Sequence, residues 1–145
     1  MYYHGSRFLH AGTSGLFTNE RRWKDDAVFE ALGTTDELNS SVGYAFCVVG
    51  TYFDIQCCLQ DVASNVATPH SSAKKAHLDL LDYWIDLYAN RIPPLTKFIL
   101  PGGNLLSSCL HQARCICRRA ERTFTPLIRA EEVDPVVLQY LIVGR

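Results

Sequence analysis

The stretch that most constrains the fold runs from Asn104 to Thr125, carries neither glycine nor proline, and meets Pro126 at its end. At about 100° per residue, Leu110, Ala113, Cys117, Ala120 and Phe124 fall on one stripe, the signature of a helix with one face turned to a core. His111, Arg114, Arg118, Glu121 and Arg122 form a second stripe roughly 120° round from the first. Arg119 points away from that second stripe. Such a helix needs partners for its apolar side, and the rest of the sequence offers them.

From Asp25 the spacing is again helical, with Val28, Leu32, Leu38, Val42, Ala45 and Phe46 recurring at steps of three and four, and Asp25-Asp26 suit a helix N-terminus. A second helix is predicted over Asp54–Ala67, with Ile55, Leu59, Val62 and Val66 on one face, ended by Thr68-Pro69. Ser71-Ser72 are placed to cap a third, whose predicted apolar face is Ala73, Ala76, Leu80, Trp84 and Leu87. Asn90 and Pro93-Pro94 close it, and the Pro-Gly-Gly of Leu95–Gly103 reads as a turn. Asp134-Pro135 supply an N-cap and a first-turn proline for a fifth helix over Val136–Val143. No strand pattern stands out. The expectation is all-α: an antiparallel, up-and-down helix bundle in one domain over 1–145, with an irregular region over 1–24 and helices over 25–145.

The 145 residues carry 14 Lys+Arg against 15 Asp+Glu, a net charge of −1. That balance argues against a dedicated nucleic-acid binder. The longest apolar run, Val42–Phe53, falls short of a membrane span, and no secretory signal is legible at the N-terminus. A chain of this length can build a core without disulfides. Cys57-Cys58 and Cys115-x-Cys117 lack the spacing of a zinc site, so no metal site is expected and the six cysteines read as reduced, mostly buried thiols.

Three places could carry chemistry. The arginine stripe could clamp a polyphosphate, since guanidinium forks match phosphate oxygens, although spacing alone favours an ordinary solvated face. Gly12-Thr13-Ser14-Gly15 could present N–H groups to phosphate or form a plain turn. Asp36-Glu37 sit in a polar band, with Thr34, Thr35, Asn39, Ser40 and Ser41, that is either a solvent face or a carboxylate pairing with an arginine across a packed surface. Phe98, read alone, is a core aromatic.

Five ordered stretches then converge: NERRWKDD (Asn19–Asp26), FEALGTTDELNSSVGYA (Phe29–Ala45), IQCCLQDVASNVATPHSSAKKAHL (Ile55–Leu78), PPLTKFILPGG (Pro93–Gly103) and CRRAERTFTPL (Cys117–Leu127). Together they resemble the ATP:cob(I)alamin adenosyltransferases of bacterial propanediol use and animal methylmalonyl metabolism. The resemblance implies a homotrimer of five-helix bundles with sites between subunits, where ATP and magnesium meet a cobalamin. Reduced cobalt attacks the ribose 5′ carbon, giving adenosylcobalamin and releasing triphosphate. It implies that Arg122 holds triphosphate, that Arg118 pairs with Asp36 of a neighbouring subunit, and that Glu121 sits by the magnesium-bound phosphates. The resemblance further implies that Lys24 contacts ATP, that Ser14 and Gly15 end the phosphate loop, and that Arg119 joins the same cationic set. Phe98 would occupy the lower face of the corrin and displace its axial ligand, a case of a protein tuning a cofactor by packing.

The resemblance also implies a corrinoid reductase or a cobalamin-dependent mutase as protein partners, with no nucleic acid and no membrane. The location would be the mitochondrial matrix if the chain is eukaryotic, as the animal flavour of Ile55–Leu78 suggests, and the cytoplasm otherwise. The chain departs from the family pattern at three places. Ser6–Gly12 keep only the tail of the T-K-T-G-D-x-G loop, and the links after Phe46 and Leu78 are short. Leu138–Arg145 diverge from the N-R-L-S-D-Y-L-F motif, so the last helix is expected to be shortened. The rivals to adenosyl transfer are a truncated, non-catalytic member that binds corrinoid or partner subunits, and a helical interaction module with no ligand.

Overall fold

The computed structural model describes residues 12–49, 53–73, 76–94 and 96–143. The elements are β1 (Thr13–Gly15), β2 (Arg21–Trp23), α1 (Ala27–Val49), α2 (Phe53–Val66), α3 (Ala76–Ala89), α4 (Leu105–Arg129) and α5 (Pro135–Val143). The altered loop over 6–11 lies outside the described residues. Among the described residues no helix is long and apolar enough to cross a membrane.

The five predicted helices are present, and their ends follow the expected chemistry. Asp26 accepts the Val28 N–H at 2.9 Å and opens α1. Asn104 takes the Ser107 N–H at 2.8 Å and opens α4, preceded by Gly103 at φ +111°, where a side chain would be strained. Asp134 receives the Val136 N–H at 2.9 Å, with Pro135 in the first turn of α5.

α1 and α4 lie side by side as the central pair, α2 packs on α1, and α5 folds back on α4 and also touches α3. The α1–α2 approach is close at Gly43, where an added Cβ would lie 2.7 Å from Gln56 Nε2. That amide instead donates to the Asn39 carbonyl at 3.3 Å. Between α4 and α5, the Cys117 thiol donates to the Leu141 carbonyl at 3.3 Å. Val28, Ala31, Leu38, Leu59, Val62, Val66, Ala120, Phe124, Val137 and Leu141 fill the core between these helices.

Several expectations are corrected. Residues 13–15 and 21–23 form a two-stranded antiparallel ribbon, with Ser14 opposite Arg22, although no strand pattern was legible. Three-residue strands are too short to show alternation; turn geometry makes this one, with Asn19 at φ 65°. α4 does not stop at Pro126 but continues to Arg129. Proline costs one N–H bond to the Arg122 carbonyl, and both residues are exposed, so water can serve that carbonyl.

Leu110 is exposed rather than part of the α4 core stripe, which Cys109, Ile116 and Leu127 join instead. On α3 the buried residue among those described is Leu81, one position from the predicted Leu80, because apolar side chains cover a wide arc, all but the face of Asp79, Asp82 and Asp86. Ser71 does not cap α3: its hydroxyl accepts from Asn65 Nδ2 at 2.8 Å. Of the six free thiols, Cys58, Cys109 and Cys117 are buried, while Cys47, Cys57 and Cys115 are exposed.

Phe124 is fully buried at the centre of this packing. Phe124→Ala should therefore cost about 3–5 kcal/mol of unfolding free energy through the cavity it leaves. Chemical denaturation monitored by far-UV circular dichroism would measure it, with a loss below 1 kcal/mol contradicting the assigned core.

Candidate functional site

The site is set by how α4 is buried. With Ala113, Ala120 and Phe124 held inward, Arg114, Arg118 and Arg122 are exposed on the far side, while His111 and Glu121 are half-buried beside them. Arg122 reaches back along the helix, its Nη1 donating to the Arg118 carbonyl at 2.9 Å. Arg119 is drawn off in another direction by an ion pair with Glu37 of α1. The wheel that set Arg119 apart from the stripe agrees with that partner, and the pairing separates Arg119 from the set with which the resemblance grouped it.

The polar band on α1 divides. Thr34 and Thr35 are buried, which neither a wholly solvent-facing band nor a carboxylate pairing had required, and each hydroxyl donates to the carbonyl four residues back at 2.8 Å. With the hydroxyl satisfied locally, the methyl group packs as an apolar one would. Asp36, Glu37 and Ser40 point to solvent. Neither the Asp36 carboxylate nor the Arg118 guanidinium has an ion-pair partner among the described residues.

Ser14, Gly15 and Asp36 line one cavity of about 390 Å³ between β1, α1 and α2, together with Gln60 and Ser64. Lys24 is exposed just after β2, its N–H donating to the Gly12 carbonyl at 2.8 Å. Phe98 is not a core residue: it is wholly exposed in the connection between α3 and α4, with Ile99 and Leu100 also in solvent. Among the described residues no group of three or more His, Cys, Asp or Glu side chains could hold a metal ion.

An anion-ready face, an exposed apolar loop and an unpaired carboxylate are consistent with several functions, and comparison with known proteins narrows them. The cobalamin adenosyltransferase family model matches residues 10–142. The chain belongs to the cobalamin adenosyltransferase family. The human corrinoid adenosyltransferase MMAB is 50% identical over 148 aligned positions, which cover 90% of this chain and 59% of the human protein. The Bacillus subtilis corrinoid adenosyltransferase is 38% identical over 90% of this chain and 74% of its own length. The chain thus spans about three-fifths of the length of the animal relatives it matches.

Two solved structures from Lactobacillus reuteri share the fold of this family member. An arginine-to-lysine variant of a PduO-type ATP:corrinoid adenosyltransferase, complexed with ATP, superimposes with a TM-score of 0.87 at 34% identity, covering 97% of this chain and 86% of that one. A phenylalanine-to-alanine variant, complexed with cobalamin and ATP, gives a TM-score of 0.85 at 32% identity, covering 96% and 85%.

What sequence reading missed in this adenosyltransferase-family chain is the anchor of the ribbon. Arg22 donates to Glu20 at 2.8 Å and to Glu132, in the α4–α5 connection, at 2.6 Å, with Asp26 at 3.6 Å. Hydrogen bonds to Glu20 and then Glu132 raise its pKa further above the ordinary arginine value. The pairing links residues 110 positions apart, so no local pattern marks it; only the run Glu20-Arg21-Arg22 hinted that one arginine was committed. Because this tie fastens the ribbon to the α4–α5 connection, Arg22→Ala should destabilise the fold by about 1.5–3 kcal/mol. Residues 13–23 should also lose amide protection before the helices do, as hydrogen exchange would show. Unchanged protection in the ribbon would contradict the anchoring role.

Proposed function

We propose that this chain transfers the 5′-deoxyadenosyl group of ATP to a reduced corrinoid, giving adenosylcobalamin and triphosphate. The observation that carries the reading is the exposed Arg118 and Arg122 pair on α4, held outward by the burial of Ala120 and Phe124, in a chain of the cobalamin adenosyltransferase family. Relatives in that family are corrinoid adenosyltransferases by name, and solved ones hold cobalamin and ATP.

The chemistry makes a definite demand on the protein. The cobalt electron pair forms a bond to the 5′ carbon as the carbon–oxygen bond breaks, and the departing triphosphate takes up negative charge. Cations fixed in advance where that charge develops lower the barrier. In this reading Arg122 binds the triphosphate and Lys24 adds a second cation, with Ser14 and Gly15 lining the approach. Magnesium takes oxygen donors and keeps to one or two carboxylates plus phosphates and water, so a full protein cage is not required. Glu121 offers such a carboxylate oxygen on the arginine face. Magnesium would supply charge neutralisation of the phosphates.

Arg118 and Asp36 have complementary charges and no ion-pair partner among the described residues, which suits a pairing between copies in a homotrimer. Phe98 sits in a connection where its ring is free to pack beneath a corrin and exclude an axial ligand. Residues 1–145 act as one domain in this reading. The high identity to animal relatives favours a mitochondrial location, with a corrinoid reductase or a cobalamin-dependent mutase as protein partners.

Anaerobic incubation with ATP and cob(I)alamin, followed by the absorbance change on adenosylcobalamin formation, tests the reading directly; no product from folded protein would overturn it. Arg122→Ala should weaken ATP binding by about 1.5–3 kcal/mol, whereas Arg119→Ala, which loses only the Glu37 pair, should change it little. Equal losses by calorimetric titration would refute the assignment. Asp36→Asn should shift the oligomer toward monomer in sedimentation velocity at a fixed concentration, and an unshifted distribution would place Asp36 outside the subunit contact.

A further inference from the structure

A smaller cavity, of about 240 Å³, lies beside Asn65 and Tyr140 and shares Ser64 with the Ser14–Asp36 cavity. A different one, of about 320 Å³, opens where α3 packs on α5 but stands off α1 and α4. All five helices contribute to its walls, and it shares no side chain with the Ser14–Asp36 cavity. Its floor is apolar, with Leu38, Leu59, Ala113 and Leu141 all buried. Ile85, Tyr88 and Leu110 line it as well and are exposed, so they form its mouth.

Such a floor holds water poorly. A buried water is kept in place by about three hydrogen bonds to polar groups. The Cys117 thiol, which also lines the cavity, already donates to the Leu141 carbonyl at 3.3 Å. Cavities walled by Leu, Ile and aromatic side chains stay dry and accept apolar molecules, for the same reason that the core itself forms.

One charged group stands at this cavity, the Arg114 guanidinium. It is exposed, reaches the Cys115 sulfur only at 3.9 Å, and has no carboxylate partner among the described residues. No acidic side chain lines the cavity. A carboxylate matches one guanidinium fork and one positive charge, whereas a phosphate monoester brings nearly two negative charges. The volume leaves room for a tail of about eight to ten carbons, each methylene taking roughly the 30 Å³ of a water molecule. We propose that this cavity binds a medium-chain fatty acid, its tail against Leu38, Leu59 and Leu141 and its carboxylate paired with Arg114 at the mouth. The charged end stays at the solvent boundary, so no ion is buried unpaired. The nucleotide assignments rest on Arg118 and Arg122, so this site stands or falls apart from adenosyl transfer.

Octanoate, titrated into the full chain below its micelle-forming concentration, is the probe, and Trp84 in the cavity wall is the reporter. The other tryptophan, Trp23, is on the ribbon, and a Trp23→Phe chain assigns the signal to Trp84. The expected result is a saturable change in Trp84 emission, with butyrate binding at least tenfold more weakly. Octan-1-ol, which keeps the tail and lacks the charge, should bind at least fivefold more weakly than octanoate. Those comparisons need no variant to fold. Arg114→Gln should weaken octanoate at least fivefold and leave octan-1-ol within twofold. A change that never saturates, or equal affinity for octanoate and either butyrate or octan-1-ol, would overturn the proposal. So would unchanged octanoate affinity in a folded Arg114→Gln.

Discussion

The one-sided burial of α4 against α1 governs the rest of the molecule. Ala120 and Phe124 are fully buried, and Val28, Ala31 and Thr35 of α1 are nearly or fully so. A helix fixed by that contact has no rotational freedom left, so Arg118 and Arg122 face outward as a geometric consequence of what is inside. Turning this helix over would strip the guanidinium groups of water in the core, a cost that no alternative packing offsets. The Arg119–Glu37 pair sits at the edge of the contact, and, being exposed on both sides, contributes more to register than to stability.

The fold was legible wherever local chemistry decides it. Asp26, Asn104 and Asp134 start helices because their carboxylate or amide oxygens meet free N–H groups. The arginine stripe was legible for the same reason, since periodicity alone separates Arg118 and Arg122 from Arg119. Features set by distant contacts were not. The ribbon depends on Arg22 reaching Glu132, and the burial of Thr34 and Thr35 depends on hydroxyls turning back to their own helix. Leu81 replaced Leu80 as the buried residue of α3 because the apolar arc of that helix is wide: Asp79, Asp82 and Asp86 mark the outside, but not which part of the remaining arc packs. The exposure of Phe98 is likewise invisible to a hydropathy rule that sends aromatics inside.

The two ends of the molecule serve different demands. Around Ser14, Gly15 and Asp36 the surface is open and held by ion pairs that span the chain. Around Asn65 and Tyr140 the lining mixes apolar residues with the Asn65–Ser71 hydrogen bonds. Ser64 contributes to both cavities, so α2 is a shared wall between them rather than a simple packing layer.

Asp134 has a reach beyond helix capping. One carboxylate oxygen takes the Val136 N–H and the other takes the Ala73 N–H at 3.0 Å, while His70 donates its own N–H to the Glu132 carbonyl at 2.9 Å. The chain crossing from α2 to α3 is thereby clasped to the segment that launches α5. These two stretches are far apart in sequence and share one acceptor, so neither can fray alone. Loosening the start of α5 would therefore also release the backbone at residues 70 and 73, coupling the two stretches in one local opening.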